Sequence, residues 1–123
     1  MILGIGTDIA EVKRFEKWIN NPEMIERYFN EQERFSDGTV SSKCQHYAAR
    51  FAAKEAFSKA LGTGICFDLK DVFVKNDENG KPELFFSDRV QSLLNEKFGL
   101  CRVFVSLSHE KMYAVANVII EKA

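Results

Sequence analysis

The stretch from Arg50 to Ile65, RFAAKEAFSKALGTGI, places charged side chains on a helix made mostly of alanine and phenylalanine. Helical residues four positions apart share a face, so Phe51, Glu55 and Lys59 form one stripe. The alanines between them allow other backbones to come close, which favours a packed helix. Because a packed helix rarely carries charge without a partner, these charges indicate either internal pairing or a functional site.

The stretch ends in Gly62-Thr63-Gly64, which is typical of a helix stop followed by flexible backbone. It is not a P-loop, because no Gly-Lys-Ser/Thr follows. On this segment alone two interpretations stay open. The charges form a solvated Glu–Lys pair on an amphipathic helix, or they meet a ligand.

The first half of the chain is predicted to hold one strand and several helices. Ile2–Asp8 alternates large and small apolar residues, as a buried strand can, and Ile9–Ile19 has the pattern of a helix. Asn21-Pro22 begins a short helix with an N-cap and a first-turn proline. Capping residues predict two more elements, a turn begun by Asn30 with Glu33 and a long helix that starts after Ser41 or Ser42 and ends near Leu61.

The second half is predicted to be richer in strands. Val72–Val74 and Leu84–Phe86 flank an Asn-Gly turn and form a hairpin. Ser87 caps a helix that Gly99 stops, and the last two strands lie at Arg102–Ser108 and Tyr113–Ile120. The order predicts an α+β fold in which an antiparallel-rich sheet carries helices on one face.

Composition narrows the class of protein. The 123 residues form one domain, 1–123, and a hydrophobic fraction of 46% with a net charge of −1 indicates a soluble globular protein. No basic excess points to nucleic acid, no apolar run approaches the ~20 residues of a membrane span, and no signal peptide begins the chain. Cys44, Cys66 and Cys101 lack the spacing of a zinc site and are expected to be buried, reduced thiols of a cytoplasmic protein.

Three motifs in order give a more specific indication. GIGTDI at Gly4–Ile9, the stretch Arg50–Ile65, and SLSH followed by YAVANVIIE from Ser106 onward resemble the holo-acyl-carrier-protein synthases. These are small stand-alone 4′-phosphopantetheinyl transferases. The resemblance runs from Met1 to Glu121 and is weakest between residues 20 and 42. It implies the fold of that family and a homotrimer that binds coenzyme A between neighbouring subunits.

Two carboxylates lie at positions where a charge is costly unless it is paired or bound to metal: Asp8 closes an apolar strand and Glu55 is in mid-helix. Two oxygen donors from different elements suit Mg²⁺, which keeps several waters and takes its other ligands from substrate phosphates. The alternative role for Asp8 is an N-cap on the helix predicted from Ile9. The resemblance implies that both residues bind the metal and belong to the catalytic site.

Basic residues near Glu55 are candidates for phosphate binding. Lys59 suits a catalytic cation beside the pyrophosphate of coenzyme A, and a surface pair with Glu55 is its other explanation. The resemblance implies that Arg50 meets the 3′-phosphate of coenzyme A. Lys54, one turn after Arg50, is assigned either to coenzyme A or to a structural role.

The resemblance supplies the remaining contacts with coenzyme A. It implies that Gly62, Thr63 and Gly64 border the nucleotide, although Cys66 follows where many members have a glycine. It places His109 beside the phosphates, and Lys81-Pro82, after the hairpin turn, is a candidate for the adenine side. By themselves, the glycines are typical of a helix cap and His109 of a turn.

A docking surface for acyl carrier protein is expected on the helix predicted at Ile9–Ile19. Lys13, Arg14 and Lys17 lie opposite its apolar face and suit an acidic partner, and Trp18 beside Arg14 suits an apolar interface anchor. A solvated helix face is the alternative, and the docking role is what the resemblance implies.

The activity implied is Mg²⁺-dependent transfer of 4′-phosphopantetheine from coenzyme A to a serine of apo-acyl carrier protein, with release of 3′,5′-ADP, for fatty acid biosynthesis. Glu55, acting through a metal-bound water, is the first candidate for the base that takes the serine proton. Two alternatives come from other classes of protein. A non-catalytic module that binds coenzyme A or a nucleotide would have no use for both Asp8 and Glu55, and a structural domain would pair its helix charges internally.

Overall fold

Helix α3, Val40–Leu61, lies directly on strand β1, Ile2–Glu11, in the computed structural model, which describes residues 1–123. Gly4 and Gly6 permit this approach, because a Cβ at either position would overlap a backbone carbonyl of α3. The glycines of the strand and the alanines of the helix therefore bring the two backbones together. As a result, the residues that follow Gly6 on β1 lie next to the middle of α3.

The main sheet has three antiparallel strands in the order β1-β5-β4, with β4 at Cys101–His109 and β5 at Tyr113–Lys122. One face of this sheet packs on α3, and on β5 that face consists of fully buried side chains: Ala114, Ala116, Val118 and Ile120. Asp8 is paired with Ala116 and shares this inner face. The predicted α+β architecture, with helices on one face of an antiparallel sheet, is confirmed.

A separate two-stranded sheet follows α3. It is the predicted hairpin, with β2 at Val72–Asn76 and β3 at Pro82–Phe86. Gly80 adopts a φ of 83° in its turn, a conformation that favours glycine. The hairpin leads into α4, Asp88–Phe98, which the Ser87 hydroxyl caps by accepting from the backbone of Val90.

Short helical segments connect β1 to α3, and their capping residues are those predicted. Helix α1 is Glu16–Ile19, and α2 is Pro22–Tyr28 with Asn21 as its N-cap. Asn30 and Glu33 form the predicted capping box around a 3₁₀ turn. These segments and α3 enclose an aromatic cluster that includes Phe15, Trp18, Phe29 and Phe51.

Three predicted boundaries are wrong. Strand β1 does not end at Asp8 but continues to Glu11, because the alternation of small inner residues extends through Ala10 and β5 pairs along the whole length. The helix predicted from Ile9 therefore begins only at Val12, as a 3₁₀ turn, and Asp8 is not an N-cap. At α3, the hydroxyl of Thr39 rather than of Ser41 or Ser42 provides the cap.

Burial of the three thiols also departs in part from expectation. Cys44 is buried and Cys101 is half-buried, but Cys66 is exposed in the loop after α3. None of them forms a disulfide. Among the helices, none is both long enough and apolar enough to pass through a membrane.

Candidate functional site

Asp8 reaches α3 because of the close packing of β1. It lies two residues after Gly6 and therefore on the same face of the strand. Its Oδ1 accepts a hydrogen bond from Lys59 Nζ at 3.1 Å, and Lys59 also donates to the carbonyl of Thr7 at 3.0 Å. The Lys59 side chain stays 54% exposed, whereas that of Asp8 is only 18% exposed. The pair therefore lies at the edge of the helix–strand contact, open to a ligand.

Glu55 lies beside this pair. Burial raises the pKa of the Glu55 carboxyl, and the negative charge of Asp8 raises it further. Lys59 and Arg14 oppose this increase with their positive charges. The structure thus brings together Asp8, Glu55 and Lys59, the three residues predicted to be catalytic, and their roles remain predictions.

The donor set fits Mg²⁺. Two neighbouring carboxylates that raise each other's energy are stabilised when a cation binds between them. The chain has no group of three or more His, Cys, Asp or Glu side chains placed to hold a metal. Mg²⁺ commonly binds one or two protein carboxylates and fills its other coordination positions with water and substrate phosphate.

Arg50 lies one turn before Lys54 on α3 and is half-buried. Its Nη1 donates only to the carbonyl of His46, at 3.4 Å, and its buried Nε has no hydrogen-bond partner. Burial lowers the pKa of Arg50, while the charge of Glu33 raises it. A guanidinium without a carboxylate partner has donors available for an anion, which agrees with its predicted contact with a phosphate.

Lys54 lies in the core and not in the site. Its side chain is 0% exposed, and its Nζ donates to Glu33 Oε1 at 2.6 Å. Two backbone carbonyls, of Leu69 and Val72, accept its other hydrogen bonds. The predicted contact of Lys54 with coenzyme A is therefore corrected to the structural alternative, because every donor on its ammonium group is already used.

The loop Gly62-Thr63-Gly64 is exposed and starts one turn after Lys59. Gly62 and Gly64 have φ values of 80° and 69°, so both positions favour glycine. The Thr63 hydroxyl lies 3.3 Å from the sulfur of Cys66, which gives the loop an internal contact. The loop lies exposed at the C-terminal end of α3, and its contact with the nucleotide remains a prediction.

His109 and Lys81-Pro82 lie apart from Asp8 within one chain. His109 ends β4 and aligns through Ala114 with Ala10, two strand spacings or roughly 10 Å across the sheet. Lys81 and Pro82 line a cavity of about 290 Å³ between β3 and the middle of β4 around Phe104. That part of β4 is about 17 Å along the strand from His109.

The predicted docking residues divide into two groups. Lys13, Arg14 and Lys17 are exposed, as expected. Trp18 is only 9% exposed, and its ring packs on Phe15 with centroids 4.7 Å apart. The prediction that Trp18 is an interface anchor is therefore wrong, because its ring is buried in the aromatic cluster beneath α1.

Arg14 lies closer to the site than sequence reasoning indicated. Its guanidinium stands 4.9 Å from the ring centroid of Phe51, one turn before Glu55 on α3, and its charge lowers the pKa of Glu55. Sequence reasoning also missed the contact of Glu33 with Lys54. The capping pattern identified Glu33 only as the partner of Asn30, and nothing local in the sequence predicts a contact across 21 residues.

Comparison with known proteins identifies the family of this chain. The family model of the 4′-phosphopantetheinyl transferase superfamily matches residues 4–116. The chain is 48% identical to the holo-[acyl-carrier-protein] synthase of Treponema denticola over 98% of this chain and 99% of that protein. The chain therefore belongs to the 4′-phosphopantetheinyl transferase superfamily and, within it, to the holo-[acyl-carrier-protein] synthases, a group of transferases.

Solved structures show the same fold. A holo-(acyl-carrier-protein) synthase from Bacillus anthracis, in complex with CoA (3′,5′-ADP), has a TM-score of 0.81 and 40% identity over 100% of this chain and 99% of that chain. The holo-[acyl-carrier-protein] synthase from Neisseria meningitidis has a TM-score of 0.84 and 34% identity over 99% and 100% of the two chains.

Proposed function

We propose that this protein transfers 4′-phosphopantetheine from coenzyme A to a serine of apo-acyl carrier protein and releases 3′,5′-ADP. One observation carries the proposal. In a chain of the holo-[acyl-carrier-protein] synthase family, Asp8 and Lys59 are 3.1 Å apart and Glu55 is electrostatically coupled to both. Two carboxylates and a cation at an open edge suit a pyrophosphate substrate.

In this reaction the serine oxygen bonds to the β-phosphorus of coenzyme A, and the bond from that phosphorus to the bridging oxygen breaks. Phosphoryl transfer needs little covalent help, so positioning and charge stabilisation supply most of the acceleration. Lys59 stabilises the negative charge that develops on the leaving 3′,5′-ADP. Glu55 is the candidate for the base, and it would take the serine proton through a water because its carboxylate would also hold Mg²⁺.

Asp8 and Glu55 would hold Mg²⁺, which when bound supplies charge neutralisation at the pyrophosphate. Lys59 keeps Asp8 oriented through their hydrogen bond. Arg50 contributes binding, because its guanidinium has no carboxylate partner and its terminal nitrogens can donate to a phosphate of coenzyme A. Gly62, Thr63 and Gly64 border the nucleotide at the end of α3.

We further infer a homotrimer with active sites between subunits. The outer face of the main sheet carries an apolar row across three strands, Ile5, Ile119 and Phe104, of which Ile5 is 68% exposed. An apolar face of this kind favours association. The separation of Lys81-Pro82 from Asp8 within one chain also supports a site completed by a neighbouring subunit.

The setting we propose is fatty acid biosynthesis in the cytoplasm, where holo-acyl carrier protein would be the product of this enzyme. The acidic carrier protein would approach the surface formed by Lys13, Arg14 and Lys17. The positive charge of these three residues would then direct the serine of the carrier protein toward Glu55. Arg14 is close enough to Glu55 to lower its pKa.

The test is mass spectrometry of apo-acyl carrier protein incubated with this protein, coenzyme A and Mg²⁺. Transfer adds the mass of one phosphopantetheine to the carrier protein, and a parallel reaction with EDTA tests the metal. Binding of coenzyme A without any mass shift would instead identify a non-catalytic module. Transfer that persists undiminished in EDTA would remove Mg²⁺ from the proposal.

A further inference from the structure

The core of this protein contains a buried ion pair that the proposed chemistry does not use. Lys54 and Glu33 have side chains that are 0% exposed, with Nζ and Oε1 2.6 Å apart. Lys54 also donates to the carbonyls of Leu69, at 2.9 Å, and Val72, at 2.5 Å. All three donors of the ammonium group are therefore occupied.

The carboxylate of Glu33 is equally well satisfied. Its Oε1 accepts from the backbone N–H of Asn30 at 3.0 Å, and its Oε2 accepts from the N–H of Val74 at 2.9 Å. The Asn30 side chain extends the network by donating to the carbonyl of Lys70 at 3.1 Å. The network thus joins the turn before α3, α3 itself, the segment Leu69–Val72 and strand β2.

This network borders the proposed site along the chain. Lys54 directly precedes Glu55 and follows Arg50 by one helical turn. Its bond to Leu69 fixes the far end of the loop that begins at Gly62, and the backbone N–H of Gly62 donates to carbonyls of α3 at the near end. Both ends of that loop are therefore held from the same helix.

We propose that the Glu33–Lys54 pair is a positioning device, which fixes the loop between Gly62 and Leu69 against the turn of α3 that carries Arg50 and Glu55. This inference rests on the proposed function, because it assigns the pair to coenzyme A binding. The pair acts through backbone carbonyls and touches no substrate.

Stability alone gives little reason for such a pair. Replacing a buried ion pair with apolar residues of similar volume is often neutral or stabilising, since both charges must lose their water. An apolar pair, however, would donate nothing to Leu69 and Val72 and would leave this end of the loop with only the hydrogen bond from Asn30 to Lys70. The three donors of Lys54 specify one arrangement, as a positioning role requires.

The experiment compares Lys54→Met, Glu33→Gln and the double variant Glu33→Gln/Lys54→Met. Each single variant leaves one buried charge unpaired, so its melting temperature should fall well below that of the wild type. The double variant removes both charges and should recover part of this loss. Coenzyme A affinity, measured by titration calorimetry below all melting temperatures, should nevertheless stay about tenfold weaker in the double variant, because the loop has lost its bonds from Lys54.

Two further variants separate positioning from general stability. Leu94→Ala removes buried volume from α4 and should lower the melting temperature without changing the Kd for coenzyme A. Asn30→Asp keeps the cap oxygen but loses the donor to Lys70, and should weaken coenzyme A binding about threefold in a protein that stays folded. Asn30→Asp therefore still tests positioning if the double variant does not fold.

The outcomes are distinct. Weaker coenzyme A binding in the double variant and Asn30→Asp, with Leu94→Ala unchanged, supports positioning. Wild-type affinity in a folded double variant, or in Asn30→Asp, would overturn it and leave the pair a purely structural feature. Failure of the wild type to modify apo-acyl carrier protein while still binding coenzyme A would count against the proposed transfer and not against this inference.

Discussion

Gly6 on β1 lies so close to Ala56 on α3 that a Cβ at Gly6 would occupy the space of the Ala56 carbonyl oxygen. The same strand carries Asp8 two residues later, on the same face, and the same helix carries Glu55 directly before Ala56. The distance between the two candidate metal ligands is therefore set by a contact between backbones. A substitution at Gly6 should therefore change the distance between Asp8 and Glu55, even though Gly6 has no side chain.

We expect Gly6→Ala to destabilise the fold by about 3 kcal/mol or more, since a new methyl group has no space in this contact. The strand would have to move away from α3, which would separate Asp8 from Lys59. Transfer activity of the remaining folded protein should fall at least about 100-fold. Urea unfolding and single-turnover transfer measure the two effects, and Glu96→Ala on the exposed side of α4 is the control. Wild-type turnover in Gly6→Ala would show that this contact does not set the site.

Removal of either carboxylate should eliminate most transfer while the fold survives. Asp8→Ala and Glu55→Gln each remove a proposed ligand of Mg²⁺ and little core volume. We expect a loss of at least about 100-fold in kcat, with coenzyme A binding partly retained through Arg50. Glu96→Gln, the same kind of change at an exposed position of α4, should behave as the wild type. A Glu55→Gln protein that keeps near-normal turnover with Mg²⁺ would show that the metal assignment is wrong.

Much of this fold was predictable because local chemistry determines it. Asn21 and Ser87 cap helices by side-chain bonds that span only three residues, and Gly80 occupies a turn conformation that other residues rarely adopt. The resemblance from three motifs identified Asp8, Glu55 and Lys59, which the structure brings together. Such features can be read from short segments without knowledge of tertiary packing.

Three of the errors occurred where distant residues decide the outcome. Strand β1 continues past Asp8 because β5 pairs with it as far as Glu11, a partner more than 100 residues away. Trp18 is buried because α2 and α3 surround it, and Lys54 is buried because Glu33 neutralises it. A helical pattern alone does not distinguish a lysine that faces a ligand from one that pairs inside the core.

The proposed trimer predicts a solution mass of three chains of 14.1 kDa each by light scattering. Ile5→Glu places a charge in the apolar row on the outer face of the sheet and should yield monomers, because an unpaired charge is costly in a buried interface. If the active sites lie between subunits, the monomeric Ile5→Glu protein should also lose transfer activity. Val40→Glu changes an equally apolar exposed residue outside this face and is the control. Monomeric wild-type protein with full activity would refute the trimer.

His46 should make the protein sensitive to acid. Burial and the nearby charge of Arg50 lower the pKa of His46 to about 4, while its Nε2 contacts the carbonyl of Glu33 at 2.5 Å. Below pH ~6.5 the unfolded chain gains a proton on this ring and the folded protein does not, so stability falls as the pH decreases. The loss should approach about 3 kcal/mol and level off below pH ~4, where the folded state is protonated too.

His46→Gln tests this expectation, because a glutamine amide can still donate to Glu33 but does not titrate. The free energy of unfolding, measured in urea from pH 7 to pH 4, should decline less in His46→Gln than in the wild type. Other acidic groups affect both proteins equally, so the difference between the two curves isolates His46. Parallel curves would show that the pKa of His46 is the same in the folded and unfolded states.

The basic surface on the 3₁₀ turn and α1 gives the last prediction. Arg14 and Lys17 are both exposed, but only Arg14 contributes to the electrostatics of Glu55. Lys17→Glu should raise the KM for acyl carrier protein about five- to tenfold and leave the KM for coenzyme A within about twofold, since one surface charge acts mainly on association. Arg14→Glu should raise the same KM and also lower kcat, because it places a negative charge near the reacting carboxylate.

Salt separates the two contributions. The Debye length falls from about 10 Å at 0.1 M to about 3 Å at 1 M, so the effect of Lys17→Glu on KM should largely disappear at high ionic strength. The kcat defect of Arg14→Glu should persist, because that side chain is close to the site. Glu23→Lys, at an exposed position in the first turn of α2, should change the KM for carrier protein in the opposite direction. If KM rises equally for both substrates, or if salt has no influence, the carrier protein docks on another surface.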